Sequence, residues 1–208
     1  MTIYDLLDDC LADKYPDNPW VRGKYNHWVD LREKEKDLLV GCSLKEYQFL
    51  HAITDIMKPW RILEVGCGHG ASTEVFCHAS TGYDSAIVCV DMESMEKCHR
   101  LVTNWAWAPP RKVFMQKDSR AFFNEWISDL GMPFDLIFLD GDHREAEVTK
   151  DLEAAFSILK PSGILLAHDI AHPGSEYIEW ILERAAQKVG RRTALLKNTN
   201  GPGIGVAL

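Results

Sequence analysis

The chain has 208 residues, which is enough for one domain with a full hydrophobic core and short for two. Hydrophobic residues make up 46% and charged residues 26%, so the composition is globular and excludes disordered and fibrous classes. The formal net charge is -8, and the longest basic cluster is Arg191-Arg192. Phosphate attraction would therefore give nucleic-acid binding little help.

Targeting signals are not apparent in the sequence. The chain starts without the basic and apolar regions of a signal peptide, and no apolar run approaches the roughly 18 residues of a membrane span. The six cysteines form no Cys-x-x-Cys pair, which disfavours a zinc knuckle or a thioredoxin motif. We expect a reduced cytoplasmic protein that binds neither nucleic acid nor membranes.

Helical signals dominate the N-terminal part of the chain. Apolar spacing predicts a first helix over residues 6–11, and a second helix follows at 29–39 after a turn at 16–19. Ser43 with Glu46 three residues later is typical of a capping box at the start of a third helix. We expect residues 1–58 to cap one edge or the mouth of a domain that occupies residues 59–208 as one compact unit.

From residue 60 onward, short apolar runs alternate with helical periods. Strands are predicted at 61–65, 86–90, 112–115, 134–139, 164–170, 193–196 and 203–208. Helices are predicted at 71–78, 94–103, 121–129, 146–159 and 175–189. Five strands that are each followed by a helix indicate an α/β fold, with a mainly parallel sheet between two helical layers. The short turn at 198–202 makes the last two strands antiparallel to each other.

A glycine-rich turn follows the first predicted strand. Gly66, Cys67, Gly68, His69 and Gly70 form Gly-x-Gly-x-Gly, a spacing that lets a ligand lie against the main chain. The third glycine comes one residue earlier than in a dinucleotide loop, and the acidic Glu64 precedes the turn. A carboxylate at this place suits a cationic ligand better than a pyrophosphate.

Carboxylates also follow the second and third strands. Asp91 lies about twenty residues beyond the glycines, the usual distance for an acid that binds a ribose diol, although it could also cap a helix. Asp118 and Ser119 could contact an adenine edge, and Asp118 could at the same time cap the next helix.

These residues, together with Asp140-Gly141-Asp142-His143, resemble class I S-adenosylmethionine-dependent methyltransferases over residues 60–208. The resemblance implies a Rossmann-like sheet of seven strands, of which the last is antiparallel. It also implies that Asp91 binds the ribose and Asp118 and Ser119 the adenine. The methionine part would be held by the residues of the glycine turn and its flanks: Glu64, Gly66, Cys67, Gly68, Gly70 and Ser72.

A second cluster follows the fourth and fifth strands. Neighbouring parallel strands lie about 5 Å apart, so Asp140 and Asp169 could share one small site. Two carboxylates suit Mg²⁺, Ca²⁺ or Mn²⁺, and His143, His168 and His172 open the choice to a transition metal. The alternative is a satisfied polar network in which Asp140 or Asp142 caps the next helix.

The cluster resembles that of metal-dependent O-methyltransferases of the catechol and macrolide-sugar types. The resemblance implies that Asp140 and Asp169 bind a divalent ion such as Mg²⁺ and that His143 removes the hydroxyl proton. The catechol type has an Asn after the second Asp, whereas this chain has Ile170. The third protein ligand therefore stays open among Asp142, His168 and His172.

The sequence thus predicts methyl transfer from S-adenosylmethionine to a hydroxyl of a small molecule. The alternatives are an N- or C-methyltransferase of the same fold without a metal, a nicotinamide-dependent oxidoreductase, and a non-catalytic module that keeps the cofactor pocket. The aromatic N-terminal helices would cover the acceptor or form a homodimer contact. Trp105 and Trp107 belong to a packed loop, which we favour, or to a substrate wall.

Overall fold

The computed structural model describes residues 1–34, 41–103 and 111–208. The α-helices of these ranges are α1 (Ile3–Leu11), α2 (Pro19–Lys34), α3 (Leu44–Met57), α4 (Ala71–Ala79), α5 (Glu96–Thr103), α6 (Ser119–Glu125), α7 (Glu145–Ile158) and α8 (Tyr177–Lys188). The strands are β1 (Arg61–Val65), β2 (Ala86–Asp91), β3 (Arg111–Gln116), β4 (Phe134–Leu139), β5 (Leu159–His168), β6 (Thr193–Leu196) and β7 (Ile204–Ala207).

All seven described strands belong to one sheet with the order β3-β2-β1-β4-β5-β7-β6. β1 to β5 pair in parallel, whereas β7 is antiparallel to both β5 and β6. The predicted α/β architecture, with its last strand antiparallel, is confirmed. The strand order reverses between β1 and β4, and open α/β sheets bind ligands at such a point, beyond the carboxyl ends of the strands.

The central strands are mainly apolar, and helices cover both faces of the sheet. Alternate residues of a strand point to opposite faces, so Ile62 and Phe138 pack with α1 to α5 while Leu63 and Ile137 pack with α6 to α8. The described N-terminal helices share the first of these two cores, since Leu6 of α1 and Phe49 of α3 are both fully buried in it.

The described helices α1, α2 and α3 each begin at a side-chain cap, which for α1 is Thr2. Ser43 and Glu46 form the predicted capping box at the start of α3. The predicted start of the second helix at residue 29 is wrong, because α2 already begins at Pro19. The side chain of Asn18 accepts hydrogen bonds from the amides of Trp20 and Val21, and proline is favoured at the first helical position. The predicted residues 35–39 lie outside the described ranges.

Smaller differences concern β5 and α6. β5 starts at Leu159 rather than residue 164, because Leu159 pairs with Phe134 and the register then shifts before Ile164 pairs with Leu136. The strand ends at His168, since Asp169 has a φ of 62° and leaves the extended conformation. A single π-helical turn continues α6. Trp105 and Trp107 lie outside the described ranges. Among the described residues, no helix is long and apolar enough to cross a membrane.

Candidate active site

The glycine turn connects β1 to α4 and runs beside the end of β4. Gly66, Gly68 and Gly70 all have positive φ, between 49° and 91°. A Cβ on Gly66 would lie 1.9 Å from the carbonyl oxygen of Asp140, so only glycine lets the two strand ends come this close. Gly68 has open space around its Cα, which leaves its main chain accessible to a ligand.

Glu64 lies beneath the glycine turn. Its side chain is fully buried and accepts hydrogen bonds from Ser72 Oγ at 2.5 Å and Thr73 Oγ1 at 2.6 Å. Burial raises the pKa of the Glu64 carboxyl to about 8, against the opposing effect of the two hydroxyl donors. The sequence predicts a ligand contact for Glu64, whereas the structure has its carboxyl anchoring the first turn of α4.

Asp91, at the end of the neighbouring strand β2, stabilises the glycine turn. One carboxylate oxygen accepts a hydrogen bond from the amide of Gly68 at 2.8 Å, and the other accepts one from the amide of Glu93 at 2.8 Å. α5 begins only at Glu96, so Asp91 is not a helix cap. Asp91 also lines the cleft described below.

Asp118 immediately precedes α6, and Ser119 is the first residue of this helix. Asp118 caps the helix by accepting hydrogen bonds from the amides of Arg120 and Ala121, which confirms the predicted capping role. The Ser119 hydroxyl donates to Asp151 at 2.9 Å, and burial raises the pKa of this aspartate to about 6. Both residues also line the cleft, so capping and ligand contact remain compatible.

These segments enclose a cleft of about 440 Å³ at the carboxyl ends of β1 to β4. Every predicted cofactor residue except Glu64 lines it: Gly66, Cys67, Gly68, Gly70, Ser72, Asp91, Asp118 and Ser119. Gly41, Cys42 and Tyr47 line it as well, from the chain just before and within α3. These three residues are not among the predicted cofactor residues, because no local pattern in the sequence indicates where α3 meets the sheet.

Asp140, His143 and Asp169 come together beside the cleft. One ligand atom from each of the three lies within 4.8 Å of the other two, and Asp140 also lines the cleft. His143 Nε2 lies 2.6 Å from Asp169 Oδ2. This hydrogen bond raises the pKa of His143 despite partial burial. Burial alone would raise the pKa of Asp169, but hydrogen bonds from His143 and His168 hold it well below its usual range.

The other candidate metal ligands, Asp142, His168 and His172, make different contacts. Asp142 pairs with the guanidinium and the amide of Arg144, and neither Asp140 nor Asp142 caps α7 through its side chain. His172 is exposed and is not part of either cluster that contains Asp140. His168 is 3% exposed, and its Nδ1 lies 3.0 Å from Asp140 Oδ1. The sulfur of Cys42 lies within 4.8 Å of ligand atoms of both Asp140 and His168.

Glu46 has a second role besides the capping role that its sequence pattern predicts. In the structure this fully buried glutamate of α3 also reaches the cluster, because its Oε2 lies 3.4 Å from His168 Nε2. The two residues are 122 positions apart in the chain, so sequence alone offered no signal for the contact.

Comparison with known proteins identifies the family of the chain. The family model described as "Methyltransferase domain" matches residues 63–170, just over half of the chain. No curated protein sequence matches this chain.

Solved structures show the same fold at low sequence identity. The O-methyltransferase TomG of Streptomyces achromogenes, solved with S-adenosylmethionine, is 15% identical with a TM-score of 0.69, and the match covers 100% of this chain and 96% of TomG. An O-methyltransferase of Bacillus cereus in complex with S-adenosylhomocysteine is 16% identical with a TM-score of 0.68, over 93% and 92% of the two chains. The methyltransferase PaMTH1 of Podospora anserina is 17% identical with a TM-score of 0.65, over 95% and 91%.

The family model spans β1 to the end of β5, the segment that carries the glycine turn and the aspartates. The chain therefore belongs to the methyltransferase-domain family, as the resemblance of its sequence predicts, and it shares the fold of the solved methyltransferases.

Proposed function

We propose that the protein transfers the methyl group of S-adenosylmethionine to a hydroxyl of a small molecule, with a divalent cation held by Asp140 and Asp169. One observation carries this proposal. Asp140 lines the cofactor cleft and at the same time lies within 4.8 Å of ligand atoms of His143 and Asp169. Methyl donor and acceptor oxygen could therefore meet at this residue.

The cleft supplies the binding part of the reaction. The open main chain at Gly68 would receive the methionine part, Asp91 would accept hydrogen bonds from the ribose, and Asp118 and Ser119 would contact the adenine. The sulfonium of the cofactor already activates its methyl group, so the task of the protein is to align an acceptor oxygen with it.

The donor set of the second cluster fits a divalent cation. The two carboxylates, Asp140 and Asp169, suit a hard cation such as Mg²⁺ or Mn²⁺. When bound, such a cation would lower the pKa of an acceptor hydroxyl that coordinates it. Asp140 Oδ2 points towards the Gly41 side of the cleft, 3.7 Å from the position of a Cβ on Gly41.

His143 would take the proton of that hydroxyl. Its side chain is 51% exposed, so an acceptor can reach it. When the neutral ring donates Nε2–H to Asp169, its Nδ1 is left to receive the proton, and the imidazolium that forms is stabilised by the same carboxylate.

The acceptor class and the setting belong to the same proposal. A small hydroxylated acceptor fits the position of the cluster at the rim of the cleft, and the net charge of -8 disfavours nucleic acid as the acceptor. All six cysteines are free thiols, which suits a reduced cytoplasm.

Replacing His143 by Ala tests the base. We expect kcat to fall by about 10² to 10⁴, the usual contribution of a general base, while the affinity for S-adenosylhomocysteine stays unchanged. Product formation on a panel of catechols, phenols and sugars is measured by mass spectrometry, and cofactor affinity by calorimetry. His99→Ala, an exposed histidine of α5, is the matched control. Unchanged turnover in His143→Ala, or lost cofactor binding, contradicts the role.

Metal removal is a separate test. Without the cation that Asp140 and Asp169 would hold, nothing lowers the pKa of the acceptor hydroxyl. We therefore expect excess EDTA to lower turnover at least tenfold and Mg²⁺ or Mn²⁺ to restore it. The comparison uses wild-type protein with saturating S-adenosylmethionine before and after dialysis. Full activity in EDTA rules the cation out, and transfer to an amine under those conditions would favour the N-methyltransferase alternative.

A further inference from the structure

A buried histidine–glutamate pair lies directly behind the carboxylates of the proposed cation site. Each ring nitrogen of His168 faces a carboxylate: Nδ1 lies 3.0 Å from Asp140 Oδ1 and 3.5 Å from Asp169 Oδ2, and Nε2 lies 3.4 Å from Glu46 Oε2. Both partners are almost inaccessible to solvent, with exposures of 3% for His168 and 0% for Glu46. Neither residue lines the cofactor cleft.

Glu46 is itself held by three segments of the chain. Its Oε2 accepts a hydrogen bond from the amide of Ser43 at 2.6 Å. Its Oε1 accepts hydrogen bonds from Thr199 Oγ1 at 2.7 Å and from the amide of Gly203 at 2.6 Å. The carboxylate therefore has a defined position between the start of α3, the turn before β7 and the end of β5.

Helix capping does not require this burial. α1 of the same chain begins with a capping box of Thr2 and Asp5, and Asp5 is exposed. A buried charged pair gains little net stability over apolar packing because both groups lose their hydration. Glu46 thus does more than its counterpart Asp5 does in α1, because besides capping α3 it contacts Thr199, Gly203 and His168. Of these contacts, the one to His168 leads to the proposed cation site.

We propose that Glu46 and His168 act as a positioning pair that holds the Asp140 carboxylate in the orientation that binds the divalent cation. His168 occupies Asp140 Oδ1, which turns Asp140 Oδ2 towards the cleft, and Glu46 fixes the ring of His168 from behind. Partners of this kind orient metal ligands in other proteins, and their loss typically weakens metal binding about 10- to 100-fold. The inference rests on the proposed function, since it assigns the cation to Asp140.

Cation binding gives a readout that does not depend on the acceptor. Mn²⁺ is titrated into the complex with S-adenosylhomocysteine, and bound ion is followed by electron paramagnetic resonance. We expect Glu46→Gln and His168→Asn each to raise the Kd for Mn²⁺ about tenfold or more, with the affinity for S-adenosylhomocysteine within twofold of wild type. Asp5→Ala removes the corresponding cap of α1 and should leave both affinities unchanged.

A double variant separates positioning from general destabilisation. If Glu46 acts through His168, the combined Glu46→Gln and His168→Asn variant should bind Mn²⁺ no more weakly than His168→Asn alone. Effects that multiply, or single variants with the Mn²⁺ affinity of wild type, overturn the pair while leaving the cation site intact. Wild-type protein that binds no Mn²⁺ overturns the cation site and the pair together. If Glu46→Gln does not fold, His168→Asn against wild type tests whether His168 positions Asp140, and Glu46→Asp replaces Glu46→Gln in the double variant.

Discussion

At the scale of single residues, the glycine turn shows how one position can serve packing and another can serve binding. Gly66 and Gly68 look equivalent in the sequence, since both belong to Gly-x-Gly-x-Gly. In the structure a side chain at Gly66 would enter the backbone of Asp140, whereas a side chain at Gly68 would meet nothing within 4 Å. The motif was predictable, but the division of its roles depends on how closely β4 approaches.

Alanine at these two glycines should separate stability from affinity. Gly66→Ala should lower the free energy of unfolding by about 3 kcal/mol or more, because backbone must move to admit the Cβ. Gly68→Ala should cost only about 1 kcal/mol for its positive φ, yet weaken S-adenosylhomocysteine binding because the methyl group enters the cleft. Urea unfolding and calorimetry measure the two effects, and equal stability of both variants would contradict the assignment.

At the scale of elements, α2 is the helix whose position the sequence predicted least well. It is attached to α3 and α4 through a polar and aromatic cluster rather than through apolar residues alone. Trp20 stacks on His78 with ring centroids 3.7 Å apart, and His51 Nε2 lies 2.8 Å from His78 Nδ1. Lys24 pairs with the buried Glu74 at 2.6 Å. Contacts of this kind leave no periodic hydrophobic signal, so the prediction missed the first ten residues of the helix.

The histidine pair makes the attachment of α2 sensitive to acid. Burial lowers the pKa of His51 to about 4, below its ordinary value of 6.5, and the charge of the nearby His78 contributes to the same shift. The unfolded chain therefore binds the proton first, and stability is lost as pH falls from 6.5 towards 4. Because His51 is partly exposed, we expect this loss to be about 1 kcal/mol.

Urea unfolding of wild type and His51→Gln between pH 7 and pH 4.5 measures this loss. The variant keeps a hydrogen-bonding side chain beside His78 but cannot gain the charge. The stability difference between the two proteins should therefore change with pH in favour of the variant at the acidic end. Parallel curves over the whole window would contradict the assigned pKa of His51.

At the scale of the whole molecule, the cleft is a product of topology. Its walls come from the ends of four parallel strands and from the start of α3, which meet because β1 and β4 are neighbours where the strand order reverses. The order of the local motifs was predictable, since each turn follows its own strand. Their common wall, including Cys42 and Tyr47, required the fold.

A ligand that joins so many segments should stabilise the whole chain. At about 100 times its Kd, S-adenosylhomocysteine should add about 2.7 kcal/mol to the free energy of unfolding. For a chain of this length that corresponds to a rise in Tm of about 5 to 10 °C. Asp91→Asn should at least halve the rise at the same concentration, because a ribose acceptor loses its charge. Asp84→Asn, an exposed aspartate paired with Arg111, is the control and should behave as wild type.

The sequence by itself determined the strands, their parallel arrangement, the glycine turn and the aspartates that end β2, β4 and the β5 segment, because hydrophobic runs and turn residues act over short distances. Only the tertiary structure decided that Glu64 lies beneath the turn and that Glu46 meets His168 from 122 residues away. These contacts depend on where α3 and the strand ends come to rest, and packing across the sheet determines that position rather than any local pattern.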